Sequence, residues 1–284
     1  MSRRARLIRR PFRPTEVALA ATLHDSSGTL RQDVERLLPR LQALYRGVAV
    51  ATSPPTDARV TAFLAGAGVH AGTPPSNRRG PLYRLALRRA LATGAPRVHY
   101  VDFDRALHWV RRAPRELAAV LRAARRHPVL VLGRTEKAHR SHHVPLYATE
   151  VVANRLLAGR LGLVGRIDLL VPSFVATGAL VTRLLARSRA RDAAVYGEWA
   201  ALIVSLAREI AYLECRGLDW ETPDRHRRAV RRAGLAVWRS RWSTAAEWDL
   251  RIDIASAILT GATRALARTP GARPAIRRLA PRAG

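Results

Sequence analysis

The chain has 284 residues, of which 48% are hydrophobic and 25% are charged. This composition is that of a globular protein, so it excludes global disorder and collagen-like repeats, and the length suits one large α/β domain or two small ones. The formal net charge is +29. A charge of this size is typical of proteins that bind a polyanion such as nucleic acid or an anionic membrane.

The positive charge comes almost entirely from arginine, because Lys137 is the only lysine among the 50 basic residues. The arginines are scattered among alanines along the whole chain, which indicates genome composition more than a dedicated nucleic-acid surface. Segments 1–14 and 264–284 carry six arginines each and no acidic residue. We therefore predict basic flexible tails at 1–14 and 267–284. Peripheral contact of these tails with an anionic membrane is left open.

The single cysteine, Cys215, excludes an intramolecular disulfide and a multi-cysteine zinc site. The basic N-terminus is not followed by the apolar stretch of a signal peptide. The longest uncharged run, 169–182, contains Pro172 and Gly178 and is too short to cross a membrane. These features predict a cytoplasmic protein.

Short apolar runs alternate with amphipathic stretches in chain order, a pattern that predicts βαβ units and a mainly parallel sheet. The predicted strands are 17–23, 48–52, 68–71, the run that begins at 97, 129–132, 167–171 and 210–215. The predicted helices between them are 30–45, 57–65, 82–92, two pieces within 105–126 separated at Pro114, 147–161, 177–185 and 198–207. Segments 225–238 and 245–266 are predicted as two helices of a C-terminal cap. The resulting organisation is a catalytic domain at 15–222 and a helical extension at 223–266.

Asp102 and Asp104 stand two residues apart at the end of the apolar run that begins at 97. Because side chains alternate along a strand, both carboxylates are predicted to point to one side of it. Open α/β sheets bind ligands at the carboxyl ends of their strands, where one or two carboxylates hold Mg²⁺ or Mn²⁺ together with phosphate oxygens. A solvated acidic pair at a strand end is the alternative interpretation.

The surroundings of this pair resemble a known family. The motif is preceded by Asn77-Arg78-Arg79-Gly80, by Arg84, and by the helix end Ala92-Thr93-Gly94-Ala95. In order and approximate spacing these segments resemble the donor site of GT-A fold nucleotide-sugar glycosyltransferases, in particular the family 2-like group, over residues 16–222. The resemblance implies an α/β fold with a mainly parallel sheet flanked by helices. It also implies transfer of a sugar from a nucleoside-diphosphate-sugar donor to an unidentified acceptor, with Mg²⁺ or Mn²⁺ as cofactor.

The resemblance further implies roles for individual residues. Asp104 would coordinate the metal bound to the donor diphosphate, and Asp102 would touch the metal shell or the donor ribose. The other expected donor-binding residues are His24, Asp25 and Ser53 at the ends of the first two strands, and Asn77, Arg78 and Arg84 beside the diphosphate. For Arg84 the alternative is a solvated position on a basic helix.

Glycosyl transfer also requires a carboxylate near the acceptor, as a base or to stabilise positive charge at the anomeric carbon. Glu198 is the candidate, at the start of a predicted helix, with Asp192 as a weaker substitute. A helix-terminal acid stabilised by the helix dipole is the alternative for Glu198. Segment 133–143 is predicted to be a loop, and its histidines His139, His142 and His143 are further candidates for metal ligands, with a solvated loop as the alternative. The late His226 is another candidate ligand.

Two functions of other kinds remain open. One is a catalytically silent relative that binds sugar nucleotides, and the other is an arginine-rich nucleic-acid-binding protein. A nucleotidyltransferase is less well supported, because residues 24–29 lack a glycine-rich loop with lysine.

Overall fold

The computed structural model describes residues 15–170, 172–269 and 275–279. Eight strands form one mixed sheet, and helices cover both of its faces. The strands are β1 (Val17–Leu23), β2 (Gly47–Thr52), β3 (His70–Gly72), β4 (Arg97–Tyr100), β5 (Val129–Arg134), β6 (Phe174–Thr177), β7 (Glu209–Cys215) and β8 (Ala275–Arg278). The α-helices up to β7 are α1 (Arg31–Leu44), α2 (Ala58–Gly66), α3 (Arg79–Leu91), α4 (Phe103–Arg112), α5 (Pro114–Ala124), α6 (Glu136–Arg140), α7 (Val144–Leu161), α8 (Gly178–Arg187) and α9 (Ala194–Leu206).

After β7 the chain forms a C-terminal helical cap. It consists of a 3₁₀ helix (Thr222–His226), α10 (Arg227–Ala233), α11 (Leu235–Ser240) and α12 (Ala245–Arg268). None of the helices in the described residues is long and apolar enough to cross a membrane.

The strand order is β3-β2-β1-β4-β6-β5-β7-β8. β6 runs antiparallel to both of its neighbours, β4 and β5, whereas the other neighbouring pairs are parallel. Because parallel strands end at the same edge of a sheet, the residues that follow β1, β2, β4, β5 and β7 share one edge. That edge carries Asp102 and Asp104.

Two apolar clusters, one on each face, hold the sheet between helices. Residues of β1 alternate between them: Leu19 and Ala21 pack with α1, α4 and α5, and Ala18 and Ala20 pack with the side that α3, α8 and α9 cover. Every residue of β1 is buried, as expected for a central strand of a parallel sheet covered on both faces. The expected fold class is therefore confirmed.

The C-terminal helix α12 shares one of these two clusters, through Ile258, Ala262 and Ala265. It lies against α9 at a distance that only glycine allows. A Cβ on Gly197 of α9 would lie 1.9 Å from the Ile258 carbonyl oxygen, and one on Gly261 of α12 would lie 2.1 Å from that of Ala194. The cap is thus packed into the core of the sheet domain.

The structure differs from the sequence predictions in several places. Residues 167–170 are not a strand, and the strand of that region is β6 at Phe174–Thr177. Residues 136–140 form the short helix α6 within a segment predicted to be a loop. Part of the predicted C-terminal tail pairs with β7 as the parallel strand β8. The predicted tail at 1–14 lies outside the described residues.

Candidate functional site

Asp102 and Asp104 lie at the carboxyl end of β4, near the middle of the sheet. β4 ends at Tyr100 and α4 begins at Phe103, so Asp102 precedes the helix and Asp104 lies in its first turn. The prediction that both carboxylates extend from one strand face is therefore wrong, because the chain turns into a helix between them. A carboxylate in the first turn is favoured by the helix dipole.

The Asp102 carboxyl group is partly buried beside two hydroxyl groups. Its Oδ1 accepts hydrogen bonds from Thr22 Oγ1 at 2.9 Å and from the Tyr100 hydroxyl at 3.3 Å. Burial, and then the neighbouring charge of Asp104, raise the pKa of Asp102 to about 6. Burial makes ionisation of a carboxyl group unfavourable, and a nearby cation offsets that free-energy cost. The position is therefore suited to bind positive charge.

Arg225, from the 3₁₀ helix, supplies positive charge at Asp104. Its Nη2 donates to Asp104 Oδ2 at 2.7 Å, and its Nη1 donates to the His24 carbonyl oxygen at 3.0 Å and lies 3.8 Å from Asp25 Oδ1. The other Asp104 oxygen accepts the backbone N–H of Arg105 at 2.9 Å. One guanidinium thus joins the end of β1 to the first turn of α4, beside a predicted metal ligand.

The predicted nucleoside-binding residues divide into two groups. His24 Nδ1 and Ser53 Oγ lie 2.7 Å apart at the ends of β1 and β2, and the His24 side chain is exposed there. Asp25 is buried and accepts the backbone N–H groups of Thr29 and Leu30 at 3.1 Å and 2.8 Å. The structure therefore brings His24 and Ser53 together as expected, whereas the Asp25 carboxylate holds the loop before α1.

The predicted diphosphate-binding residues surround the start of α3. Asn77 and Arg78 are exposed immediately before the helix. Arg84 does not match its expected role, because its Nη1 donates to the Ala190 carbonyl oxygen at 2.7 Å and so anchors the loop before α9. Arg79, the first residue of α3, is the arginine of this motif that lies beside Tyr196.

Arg79 lies over the Tyr196 ring, with its guanidinium carbon 5.9 Å from the ring centroid. Tyr196, and further the Asp102 carboxylate, raise the pKa of Arg79. The Tyr196 hydroxyl lies 2.6 Å from that of Tyr83, whose ring centroid is 5.2 Å from that of Tyr100. These tyrosines form one wall of the site. The sequence carried Arg79 within the quoted motif but gave no signal for the tyrosines, which are far apart in the chain.

Glu198 does not occupy the place expected of an acceptor-side base. It is 1% exposed, and its oxygens accept hydrogen bonds from Ser188 Oγ at 2.7 Å and from the Arg189 backbone N–H at 2.8 Å. Its Oε1 also accepts from Arg268 Nη2 of α12 at 2.8 Å. Because these donors saturate a buried carboxylate, Glu198 is a structural anchor between the loop before α9 and the cap. Asp192 accepts the Ala194 backbone N–H at 2.9 Å and thus caps α9.

Buried ion pairs also lie at the carboxyl edge of the sheet, near the ends of β5 and β7. Arg134, the last residue of β5, is 1% exposed and binds Asp168 through Nε at 2.7 Å and Nη2 at 3.0 Å. Burial would raise the pKa of Asp168, but Arg134 outweighs it and holds the pKa well below the usual range. This pair fixes the segment before β6 that was predicted to be a strand.

A second network fixes the segment after β7. His108 of α4 lies between Asp219 and Asp224, with Nε2 2.8 Å from Asp219 and Nδ1 2.6 Å from Asp224. Burial alone would lower the pKa of His108, but the hydrogen bonds to the two carboxylates raise it to about 9. His108 is therefore a cation at neutral pH, and it ties the 3₁₀ helix that carries Arg225 to the sheet.

The four histidines predicted as possible metal ligands pack against aromatic side chains. His139, His142 and His143 are buried, contrary to the solvated loop that their spacing indicates. His226 packs against Trp238, with ring centroids 5.4 Å apart, and His143 packs against Trp220 at 5.5 Å. Within residues 15–170, 172–269 and 275–279, no three His, Cys, Asp or Glu side chains converge as metal ligands.

The sheet order, the single reversed strand β6 and the helices on both faces define an α/β fold with a mainly parallel sheet, the architecture that the sequence resemblance implies. Among solved structures, it is similar to glucosyl-3-phosphoglycerate synthase from Mycobacterium tuberculosis in complex with Mn²⁺, uridine diphosphate and phosphoglyceric acid. The identity is 18% over 81% of this chain and 79% of that chain, with a TM-score of 0.49. The same enzyme with uridine-diphosphate-glucose matches over 80% and 79% at a TM-score of 0.47. No protein-family model and no curated protein sequence matches this chain.

Proposed function

We propose that this protein is a glycosyltransferase that moves a sugar from a nucleoside-diphosphate-sugar donor, such as a UDP-sugar, to an acceptor. The observation that carries the proposal is the position of Asp102 and Asp104 at the carboxyl end of β4, where GT-A sheets bind ligands. The exposed His24 imidazole and the buried Ser53 that it contacts at the neighbouring strand ends would bind the nucleoside. Arg78 and Arg79 at the start of α3 supply guanidinium donors for the diphosphate.

The residues at the site fit Mg²⁺ or Mn²⁺ as cofactor. Such hard cations need only one or two carboxylates from the protein when phosphate oxygens and water complete the shell, so a third protein ligand is not required. Asp102 and Asp104 would hold the ion, whose charge would offset the burial that raises the pKa of Asp102. When bound, the metal would neutralise charge on the leaving diphosphate.

The residues of the chain would then act by binding and orientation. Arg79 donates to phosphate oxygens from the N-terminus of α3, where the helix dipole also favours an anion. Tyr100, which packs against Tyr83, would orient Asp102 through the hydrogen bond that its hydroxyl donates to Oδ1. Arg225 would compete with the metal for Asp104, because its Nη2 donates to one oxygen of that carboxylate.

The test is nucleotide binding measured by thermal shift with and without Mn²⁺, since a ligand of the native state raises its apparent stability. We expect UDP or GDP and their sugars to bind only with the metal, and Asp104→Asn to abolish that binding. Asp249→Asn, at an exposed position of α12, is the matched control and should bind normally. Metal-independent binding that survives Asp104→Asn would contradict the proposed role of Asp104.

A second candidate is a relative that binds sugar nucleotides without transferring the sugar. The saturation of Glu198 by internal donors favours it, because the carboxylate expected beside the acceptor is not free. Metal-dependent donor binding with neither donor hydrolysis nor transfer to any acceptor would support this candidate over the transferase.

A further inference from the structure

The C-terminal cap contains a basic segment, residues 225–246, which carries seven arginines and no acidic residue. It covers the end of the 3₁₀ helix and all of α10 and α11. Arg225 pairs with Asp104. Arg227 pairs with Asp33, whereas no other arginine of the basic segment forms an ion pair within the described residues. Four of these other arginines are exposed, namely Arg228, Arg231, Arg232 and Arg241.

Apolar side chains are exposed in the same segment. Gly234, with a φ of +78°, turns the chain between α10 and α11, and residues 235–237, which we call the apolar tip, begin α11. Leu235 and Val237 of the tip are 51% and 54% exposed. Among the described residues, every large apolar side chain that is exposed lies on α7, α11 or α12 or at Val164. The apolar tip is therefore not a general feature of this surface, and it directly follows the arginines of α10.

Trp238 holds the apolar tip in place. This side chain is only 6% exposed. Its ring centroid lies 5.2 Å from that of Trp220, 5.4 Å from that of His226 and 5.5 Å from that of Trp242. Because α11 is fixed to the rest of the cap by this aromatic cluster, the residues of the tip stay in solvent.

A surface that combines arginines with exposed apolar side chains fits an anionic lipid bilayer. Guanidinium groups meet the anionic headgroups, and leucine and valine enter the boundary with the acyl chains. Two other partners fit less well. A second copy of this chain would bring the same arginines together at one interface, where like charges repel. Nucleic acid would engage the arginines alone, because Trp238 is buried and does not present its ring to bases.

We propose that the basic segment and its apolar tip dock this protein on the surface of an anionic bilayer. The inference goes beyond the proposed function and does not depend on it. Membrane contact is thereby assigned to the cap, in addition to any contact of the predicted basic tails. Arg225, the first residue of the basic segment, donates to Asp104, so the docked surface adjoins the carboxyl edge of the sheet.

The first experiment measures how the full-length protein binds vesicles of phosphatidylcholine with about one third phosphatidylglycerol. The triple variant Arg228→Gln, Arg231→Gln, Arg232→Gln should bind about a hundredfold more weakly, because each arginine near an anionic surface contributes about fivefold. The matched control is the triple variant Arg115→Gln, Arg122→Gln, Arg126→Gln, which removes the same charge from exposed positions on and just after α5. It should lose less than about threefold, since salt screens charges that do not reach the bilayer. Both variants keep the tails.

The second experiment tests insertion of the apolar tip. Cys215, the only cysteine of the chain, is buried, so a thiol introduced by Val237→Cys can be labelled selectively with an environment-sensitive fluorophore. We expect the fluorescence of this label to rise when anionic vesicles are added. The same label on Ala65→Cys, at an exposed position of α2, should not respond. Leu235→Ser should weaken vesicle binding by about tenfold, since it removes a side chain that the bilayer would bury.

Each of four results would overturn this docking surface. Equal losses in the two arginine triples would show a general effect of net charge. A label at Val237 that stays in water in the vesicle-bound protein would exclude insertion of the tip. Loss of affinity for a DNA duplex but not for vesicles in the first arginine triple would assign the segment to nucleic acid. A dimer that Leu235→Ser converts to a monomer in sedimentation, with vesicle binding unchanged, would assign the tip to a second copy. None of these results bears on nucleotide binding, which tests the proposed function separately.

Discussion

Arg225 Nη2 donates a 2.7 Å hydrogen bond to Asp104 Oδ2, although the two residues are 121 positions apart in the sequence. A metal held by Asp104 would share this carboxylate with the guanidinium. The side chains are 20% and 22% exposed, so the pair is within reach of a cation from solvent. Metal binding at Asp104 would therefore be coupled to the position of the 3₁₀ helix.

Replacement of Arg225 should strengthen metal binding in the absence of donor. Arg225→Gln removes the competing cation, and we expect the affinity for Mn²⁺ to rise by up to about fivefold, because a partly exposed ion pair contributes up to about 1 kcal/mol. Calorimetric titration with Mn²⁺ alone measures the change. Arg228→Gln, exposed on α10, should leave it unaltered. Weaker Mn²⁺ binding by Arg225→Gln would show that Arg225 supports the carboxylate instead.

The His108 network should make stability dependent on pH. The pKa of His108 is raised from 6.5 to about 9 in the folded protein, so its stabilising effect is complete below about pH 6.5 and is lost as the pH rises through 9. We expect His108→Gln to lower the free energy of unfolding by about 2–3 kcal/mol at pH 6, and by clearly less at pH 9.5. Urea denaturation at both pH values tests this. His70→Gln, at an exposed position of β3, should show no such difference.

Replacement of Glu198 should lower the stability of the protein without changing its affinity for nucleotides. Glu198→Gln leaves buried donors from Ser188, Arg189 and Arg268 imperfectly paired, and we expect a loss of about 2 kcal/mol or more in the free energy of unfolding. Nucleotide affinity below the unfolding temperature should stay within about twofold of native, a difference under roughly 0.5 kcal/mol. A stable variant with normal donor binding and no transfer would instead restore Glu198 as the acceptor-side base.

The contact of α9 with α12 should not tolerate a methyl group. Gly197→Ala places a Cβ 1.9 Å from the Ile258 carbonyl oxygen, so α12 must shift, and we expect a loss of about 1–3 kcal/mol. Gly159→Ala in α7 is the matched control, because no atom lies within 4 Å of its Cβ. That substitution should stabilise the protein by roughly 0.5 kcal/mol or more through helix propensity. Equal thermal stability of the two variants would contradict the close packing.

Local sequence patterns predicted most of the framework. The strand at 17–23 and the helix break at Pro114 were predicted at the observed residues, because hydrophobic periodicity and proline act over a few neighbouring positions. The prediction of a strand at 167–171 was wrong. An apolar run of that length does not distinguish a strand from a buried coil, and the ion pair of Asp168 with Arg134 holds it as coil.

For the candidate site, the sequence by itself determined the acidic pair and its place after a central strand. Only the tertiary structure decided which arginine contacts this pair, since Arg84 donates to the loop before α9 whereas Arg225 donates to Asp104. It likewise placed Glu198 in an internal network. The large positive charge indicated an anionic partner without locating it. Charge is a sum over the chain, whereas a binding site depends on contacts between residues a hundred positions apart, which packing of the core alone brings together.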